Sequence, residues 1–223
     1  MRYKMKKLTI AIFSFVFVLT TSAMSMDLRP SIGISGSKAV YAATGIEKNY
    51  DESGALKTTT KEYGAFAPDI ASVFVELDLN DALSIGVDYV PTTIDTPQNT
   101  SNDGANENVV KAEFENLTTI YAKVNIPLGG LYAKVGYSMV DVNSIETMNS
   151  GNSYGNDNTS GYTVGLGYAH EVAAGVSIRA EITGSDFEDV QTDNGVASTG
   201  NRNIIVVEDM IGARGTISVV KSF

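Results

Sequence analysis

Apolar and polar side chains alternate in several stretches of the chain, and the clearest of them runs from Leu117 to Met139. Two alternating arms flank the sequence Pro-Leu-Gly-Gly at 127–130, and Pro and Gly are residues that interrupt strands and form turns. Successive side chains of a strand point to opposite faces, so this hairpin has one apolar face and one polar face. The polar face carries Lys123 and Lys134 in mid-strand, whereas the apolar face carries no charge.

The same alternation recurs along the chain and predicts about eight strands. They cover roughly 28–41, 71–80, 83–89, 117–126, 131–139, 162–169, 176–183 and 211–223. Four long polar connections, predicted to be loops, span about 45–63, 92–111, 141–160 and 186–203. Three short connections, at 80–81, 127–130 and 171–175, alternate with them.

Strict alternation of long and short connections is typical of a transmembrane barrel, which has short periplasmic turns and long extracellular loops. The apolar runs are close to the ~9–11 residues with which a tilted strand crosses hydrocarbon. The sequence therefore predicts an all-β fold, an eight-stranded antiparallel up-and-down transmembrane β-barrel. In such a barrel the apolar face points to lipid and the polar face points into the lumen. Tyrosines of the outward face are expected to form interfacial girdles: Tyr89, Tyr137, Tyr162 and Tyr168.

The inward positions collect four acidic and four basic side chains. They are Glu76, Asp78, Asp88, Glu181, Lys123, Lys134, Arg179 and Arg214. An eight-stranded barrel is just wide enough for side chains to fill it, and buried charges are tolerated when they are paired. We expect a lumen plugged by structural ion pairs and tyrosines. The alternative is a rearranging ion-pair network that gates a narrow channel.

The first 25 residues have the features of a secretory signal peptide. A basic segment containing Arg2, Lys4, Lys6 and Lys7 precedes an apolar core that is shorter than the ~20 residues of a spanning helix. Cleavage would lower the net charge from −10 to −14, because the segment holds no acid. An acidic chain argues against a nucleic-acid partner. The sequence has no Cys, which excludes disulfides and thiolate metal sites.

A signal peptide, eight alternating strands, four long and three short connections and a terminal Phe223 together resemble the OmpA/OmpX-type small outer-membrane barrels. The resemblance implies a barrel domain over 26–223, located in the cell outer membrane of a Gram-negative envelope. It also implies that the barrel-assembly machinery reads Phe223, with Ile217 and Val219 at alternate positions upstream. Lys221 departs from the usual apolar or aromatic residue. Expected partners are outer-membrane lipids, periplasmic chaperones and the assembly machinery, with the barrel itself monomeric.

The rest of the sequence offers little evidence for a catalytic or metal-binding site. His170 is followed by Glu171 near a predicted short turn, but no Gly-x-Ser-x-Gly motif accompanies it, so it is interpreted as a solvated turn residue. The Asn- and Asp-rich segments 102–104 and 156–158 lack the alternating acidic ligands and closing Glu of a calcium loop. We therefore expect no catalytic residues, metal site or cofactor.

Three functional hypotheses follow from this pattern. The first is a structural outer-membrane protein that supports membrane integrity and exposes acidic loops at the surface. The second is a narrow porin-like channel for small solutes, which requires a water path through the lumen. The third is a secreted soluble lipocalin-like barrel, which requires the apolar face to line the lumen.

Overall fold

The structure, a computed structural model, describes residues 28–103, 106–148, 153–196 and 202–223, so the predicted signal peptide lies outside the described residues. Its strands are β1 (Arg29–Tyr50), β2 (Leu56–Phe66), β3 (Asp69–Asp78), β4 (Leu83–Tyr89), β5 (Ile94–Asp95), β6 (Asn99–Asp103), β7 (Asn106–Asn125), β8 (Leu131–Met148), β9 (Asp157–Ala173), β10 (Val176–Phe187), β11 (Val190–Asp193) and β12 (Asn203–Ser222). A search of these residues for a helix long and apolar enough to cross a membrane found none.

Eight of these strands form a closed ring in the order β1–β3–β4–β7–β8–β9–β10–β12. Every neighbouring pair is antiparallel, and the ring closes where β12 pairs with β1, for example with Ile34 opposite Val219. Closure pairs the backbone N–H and C=O groups of every ring strand, which an open sheet cannot do at its edges. The predicted antiparallel up-and-down barrel is confirmed.

The connections sort to the two ends of the barrel as predicted, but the long ones are mostly strands rather than loops. At the short-turn end the chain reverses between β3 and β4, between β7 and β8, and at Ala174–Gly175. At the long-hairpin end, β1 continues to Tyr50 and returns through β2, and the other hairpins extend similarly. In β2 nearly every side chain is exposed, so a polar strand pairs there without the apolar alternation that signals a strand in the sequence.

One short turn is also tighter than predicted. The connection placed at 171–175 reduces to two residues, because β9 runs to Ala173 and β10 begins at Val176. His170 consequently lies within β9, opposite Ile178, and its side chain is exposed. The prediction that His170 is a turn residue is wrong, since the strand pairing continues past it.

Two prolines break strands at the long-hairpin end. Pro68 separates β2 from β3, and Pro91 follows the end of β4, because proline has no N–H to donate to a ladder. Beyond these breaks β2 pairs with β1, and β5 pairs with β7, but among the described residues no backbone ladder joins β2 to β5. We call this gap the β2–β5 seam. The ring is therefore continuous near the short turns and interrupted on one side near the long hairpins.

The two faces of the ring have the polarity that the alternation predicts. Apolar side chains on the outer surface are strongly exposed, at 65% for Leu166 and 72% for Ile182. Charged side chains on the inner surface are buried, with Glu76 at 3%. Two of the predicted girdle tyrosines, Tyr137 and Tyr162, lie on the outside with ring centroids 5.4 Å apart. A lipocalin-like barrel needs the opposite polarity, so that hypothesis does not fit this structure.

Inward aromatic rings pack over inward glycines on the neighbouring strand. At each of these glycines an added Cβ would overlap the ring, and the two residues are opposite each other in the ladder. The pairs are Gly33 with Phe74, Gly86 with Tyr121, Gly167 with Tyr132 and Gly212 with Tyr41. The absence of a side chain at these positions is what allows large rings into so narrow a lumen.

We expect Gly167→Ala to lower the free energy of unfolding by about 1–3 kcal/mol, because the new methyl group collides with the Tyr132 ring. The matched control is Gly215→Ala on the outer face of β12, where an added Cβ meets nothing within 4 Å. Urea unfolding of both variants in lipid vesicles makes the comparison. Equal destabilisation by the two substitutions would contradict the packing described here.

Candidate functional site: the polar lumen

The centre of the lumen is a carboxylate held by two cations. Glu76 of β3 accepts hydrogen bonds from Arg179 of β10, with Nη1 2.9 Å from Oε2 and Nη2 3.0 Å from Oε1. Lys123 of β7 donates a hydrogen bond from Nζ to Oε1 of the same carboxylate. The side chains of these residues are at most 10% exposed. Both oxygens of Glu76 are therefore used in charge-assisted bonds, the strongest kind available to a buried carboxylate.

This triad spans the barrel. β3 and β10 lie on different sides of the ring, and Glu76 and Arg179 are 103 residues apart in the sequence. Alternation places each side chain on the inner face, but only ring closure brings them together. The contact is therefore a consequence of the barrel as a whole and not of any hairpin.

A second ion pair lies beside the triad and is connected to it through tyrosines. Lys134 Nζ is 2.5 Å from Glu181 Oε1, and the Tyr132 hydroxyl donates to Glu181 Oε2 at 3.1 Å. The Tyr121 hydroxyl donates to Glu76 Oε2 at 3.1 Å, while Lys134 Nζ lies 4.6 Å from the centre of the Tyr121 ring. Each cation thus meets both a carboxylate and the face of an aromatic ring, which stabilises charge in a desolvated site.

The third ion pair lies nearer the long-hairpin end. Arg214 Nη1 is 3.5 Å from Asp88 Oδ1, and its Nε donates to the Ser37 hydroxyl at 2.7 Å. Ser72 connects the two charged groups, since it donates to Asp88 Oδ2 at 2.7 Å and accepts from Arg214 Nη2 at 3.1 Å. This pair is therefore held by hydroxyl groups as well as by charge.

The eight charged residues do not form four separate pairs. Glu76 takes two bases, whereas Asp78, near the short-turn end, accepts a hydrogen bond from Ser84 at 2.5 Å. The lumen thus brings seven of the eight into three ion-paired groups and places Asp78 at its mouth, beside Lys123.

A row of hydroxyl groups crosses four strands and was not anticipated from the sequence. Thr119, Ser138, Thr163 and Ser185 follow one another at 2.8, 2.9 and 2.8 Å between oxygens. Each lies at an inward position of β7, β8, β9 or β10, so the alternation alone would have placed them inside. Attention to charge alone overlooked these small polar residues, which hydrogen-bond to one another across the interior.

Little space remains between these side chains. The cavity that they line has a volume of about 50 Å³. A water molecule needs at least ~10–15 Å³ of such volume, so there is room for a few waters. In the described part of the chain, no group of three or more His, Cys, Asp or Glu side chains is placed to hold a metal ion.

The predicted assembly residue lies at the end of the last strand. The Phe223 N–H donates to the Pro30 carbonyl at 3.0 Å, and the ring is exposed on the outer surface. Lys221, which departs from the apolar row of β12, directs its Nζ to the Ala174 carbonyl at 3.1 Å. The long side chain thereby reaches the short-turn end of the barrel.

Comparison with known proteins gives a family and a fold. The model of the outer membrane protein β-barrel domain family matches residues 11–204. The structure of the outer membrane protein OprG from Pseudomonas aeruginosa aligns with a TM-score of 0.51 at 14% identity, covering 86% of this chain and 95% of that one. The outer membrane protease OmpT from Escherichia coli aligns at 0.46 and 11% identity, covering 91% and 99%. The comparison with curated proteins found no match.

At these identities the structural likeness concerns the fold alone. The family match is a separate finding, and it covers far more than half of the chain. Together with the closed ring and its apolar outer surface, it confirms the predicted small outer-membrane barrel and its location in the outer membrane. The chain belongs to the outer membrane protein β-barrel domain family.

Proposed function

We propose that the protein is a structural barrel that supports the integrity of the outer membrane and does not conduct solutes. The observation that carries this proposal is the filled lumen, in which only about 50 Å³ is left among paired charges, tyrosines and hydroxyl groups. A porin-like channel needs a continuous water path. Opening one here would require Glu76 to leave two cations that it contacts in a desolvated interior.

The ion pairs are proposed to be structural. Each of the three groups joins strands that are not neighbours in the ring, such as β8 with β10 and β4 with β12. They therefore add connections between strands that share no ladder to the hydrogen bonds between adjacent strands. No catalytic role is part of this proposal.

The route to the membrane is proposed from the sequence. The first 25 residues would be removed as a signal peptide after export, and periplasmic chaperones would carry the unfolded chain. The assembly machinery would then read Phe223, whose ring is exposed on the outer surface. The long hairpins, with acidic residues such as Glu62 and Asp69 exposed, would face the outside as a monomer among outer-membrane lipids.

Refolded protein in planar lipid bilayers is expected to show no stable current steps, because paired charges and tyrosines fill the polar lumen. The double variant Arg179→Ala with Tyr132→Ala removes two large side chains from the plug and is expected to give brief, small currents. Stable steps from the wild-type protein, of the size that the double variant gives, would contradict the proposed function and favour the narrow channel.

Glu76→Ala is expected to lower the free energy of unfolding by about 3–5 kcal/mol, since Lys123 and Arg179 would keep their charges in a buried site without their carboxylate. The control is Asp81→Ala, which removes the exposed partner of Arg29 and is expected to change stability little. Guanidinium titration of both variants in the same vesicles measures the two free energies of unfolding. A Glu76→Ala variant as stable as the wild-type protein would show that the triad only occupies space.

A further inference from the structure

A second, larger cavity lies on the long-hairpin side of the polar lumen. It has a volume of about 460 Å³, within the ~300–1,000 Å³ of small-molecule sites. Aliphatic and aromatic side chains form most of its wall, including Ile94, Phe114, Leu117, Val140 and Met210. Among its lining residues Glu62 is the one that carries a charge. Such a wall offers few partners to a polar molecule and suits an apolar one.

The polar lumen lies on the periplasmic side of this cavity. Tyr41, Leu117 and Phe187 line both spaces and so lie between them. The side chains of the polar lumen leave a volume of about 50 Å³ among themselves. This filled layer favours binding in the larger cavity over passage through the barrel.

At the long-hairpin end, the residues that precede β9 contact β11. Gly155 crosses to β11, where its N–H donates to Thr192 Oγ1 at 3.1 Å and its carbonyl accepts from the same hydroxyl at 3.2 Å. The Tyr154 N–H donates to Glu146 at 3.0 Å. Burial raises the pKa of Tyr154 to about 12, with the charges of Glu47 and Glu146 adding to the shift. The buried Tyr154 thus holds in place the segment in which Gly155 contacts β11.

The route from the side is the β2–β5 seam. Gly64, Ala65 and Phe66 line the cavity on one edge of the seam, and Ile94 lines it on the other. In place of a backbone ladder, the rings of Phe66 and Phe114 stack across it, with centroids 6.0 Å apart and planes 6° from parallel. Side-chain rings can turn aside without breaking backbone hydrogen bonds, so an apolar chain can enter here at low cost.

An exposed ion pair lies on the outer face of the barrel near the seam, where Lys38 Nζ is 2.9 Å from Asp69 Oδ1. Phe66 follows three residues beyond Asp69 along the β3–β2 path, roughly 10 Å at ~3.3 Å per residue. Charged side chains so close to the seam suit a position near lipid headgroups.

We propose that this cavity binds the alkyl chain of a single-chain amphiphile without net negative charge, which enters from the outer leaflet through the β2–β5 seam. The described residues of the wall are mostly apolar and include no basic side chain, and Glu62 at the seam repels an anionic headgroup. An inserted peptide would bring backbone N–H and C=O groups that this wall leaves unpaired. A second copy of the chain could fill the cavity only by inserting such a peptide segment.

The test uses the purified protein in nanodiscs with a lysophosphatidylcholine that carries a photoactivatable diazirine at the end of its chain. Illumination followed by peptide mass spectrometry is expected to place adducts on Leu117, Val140 and Met210 inside, as well as on outward residues such as Val135. The outward adducts arise from probe in the surrounding lipid, and their yield is the reference for the yield of the inner adducts. Absence of inner adducts in the wild-type protein overturns the proposal.

A matched pair of variants on β7 tests the site itself. Ala112→Trp fills the cavity and is expected to abolish the inner adducts, whereas Ala122→Trp adds the same bulk to the outer face and is expected to preserve them. Inner adducts that survive Ala112→Trp contradict the proposal. If Ala112→Trp does not fold, the positions of the adducts in the wild-type protein still decide between the outcomes.

A fatty-acid probe of equal chain length tests the charge preference. It is expected to label the inner residues several-fold less than the lysophosphatidylcholine does, and equal labelling contradicts the charge preference.

Discussion

The structure depends on one constraint: backbone N–H and C=O groups that face hydrocarbon must be paired within the chain. Eight strands meet it by closing on themselves, with β12 against β1. Closure then divides the side chains of every ring strand into an outer and an inner set. The outer set meets lipid and is apolar, so the charged and hydroxyl side chains are left for the inside.

The narrowness of the ring determines how that inner set is arranged. Eight strands enclose a space that side chains can fill, and here they fill it almost completely. Rings such as Tyr132 find space only over glycines such as Gly167. Seven of the eight charged side chains lie close enough to pair, and the hydroxyl row bonds within itself beside them. A filled lumen and an apolar surface are two results of the same closure.

Much of this could be predicted from the sequence, because alternation has a strict period of two. It placed Glu76, Lys123 and Arg179 on the inner face and ordered the long and short connections correctly. It could not predict which charged side chains form ion pairs, because Glu76 and Arg179 meet across the ring and no local sequence pattern indicates such a contact. It also misjudged the long connections, which pair as strands although segments such as β2 are polar and exposed along almost their whole length.

The apolar cavity was hidden for a related reason. Asn116 adopts a positive φ of 57°, and the ladder between β7 and β8 shifts its register there. This bulge brings Phe114 and Leu117, which strict alternation would place on opposite faces, to the same cavity. A similar irregularity occurs at Asp209, where φ is 54°. On the long-hairpin side of these two residues, simple alternation no longer predicts which side chains face the inside of the barrel.

Contact of the apolar outer face with lipid underlies the whole structure. It is tested most directly by NMR of methyl-labelled, otherwise deuterated protein in nanodiscs of protonated lipid. Nuclear Overhauser effects from lipid acyl protons are expected at the methyl groups of Val164, Leu166 and Ile182, and not at those of Thr163 and Thr183 on the same strands. Effects at the threonine methyl groups, with none at the valine, leucine and isoleucine methyl groups, would contradict it.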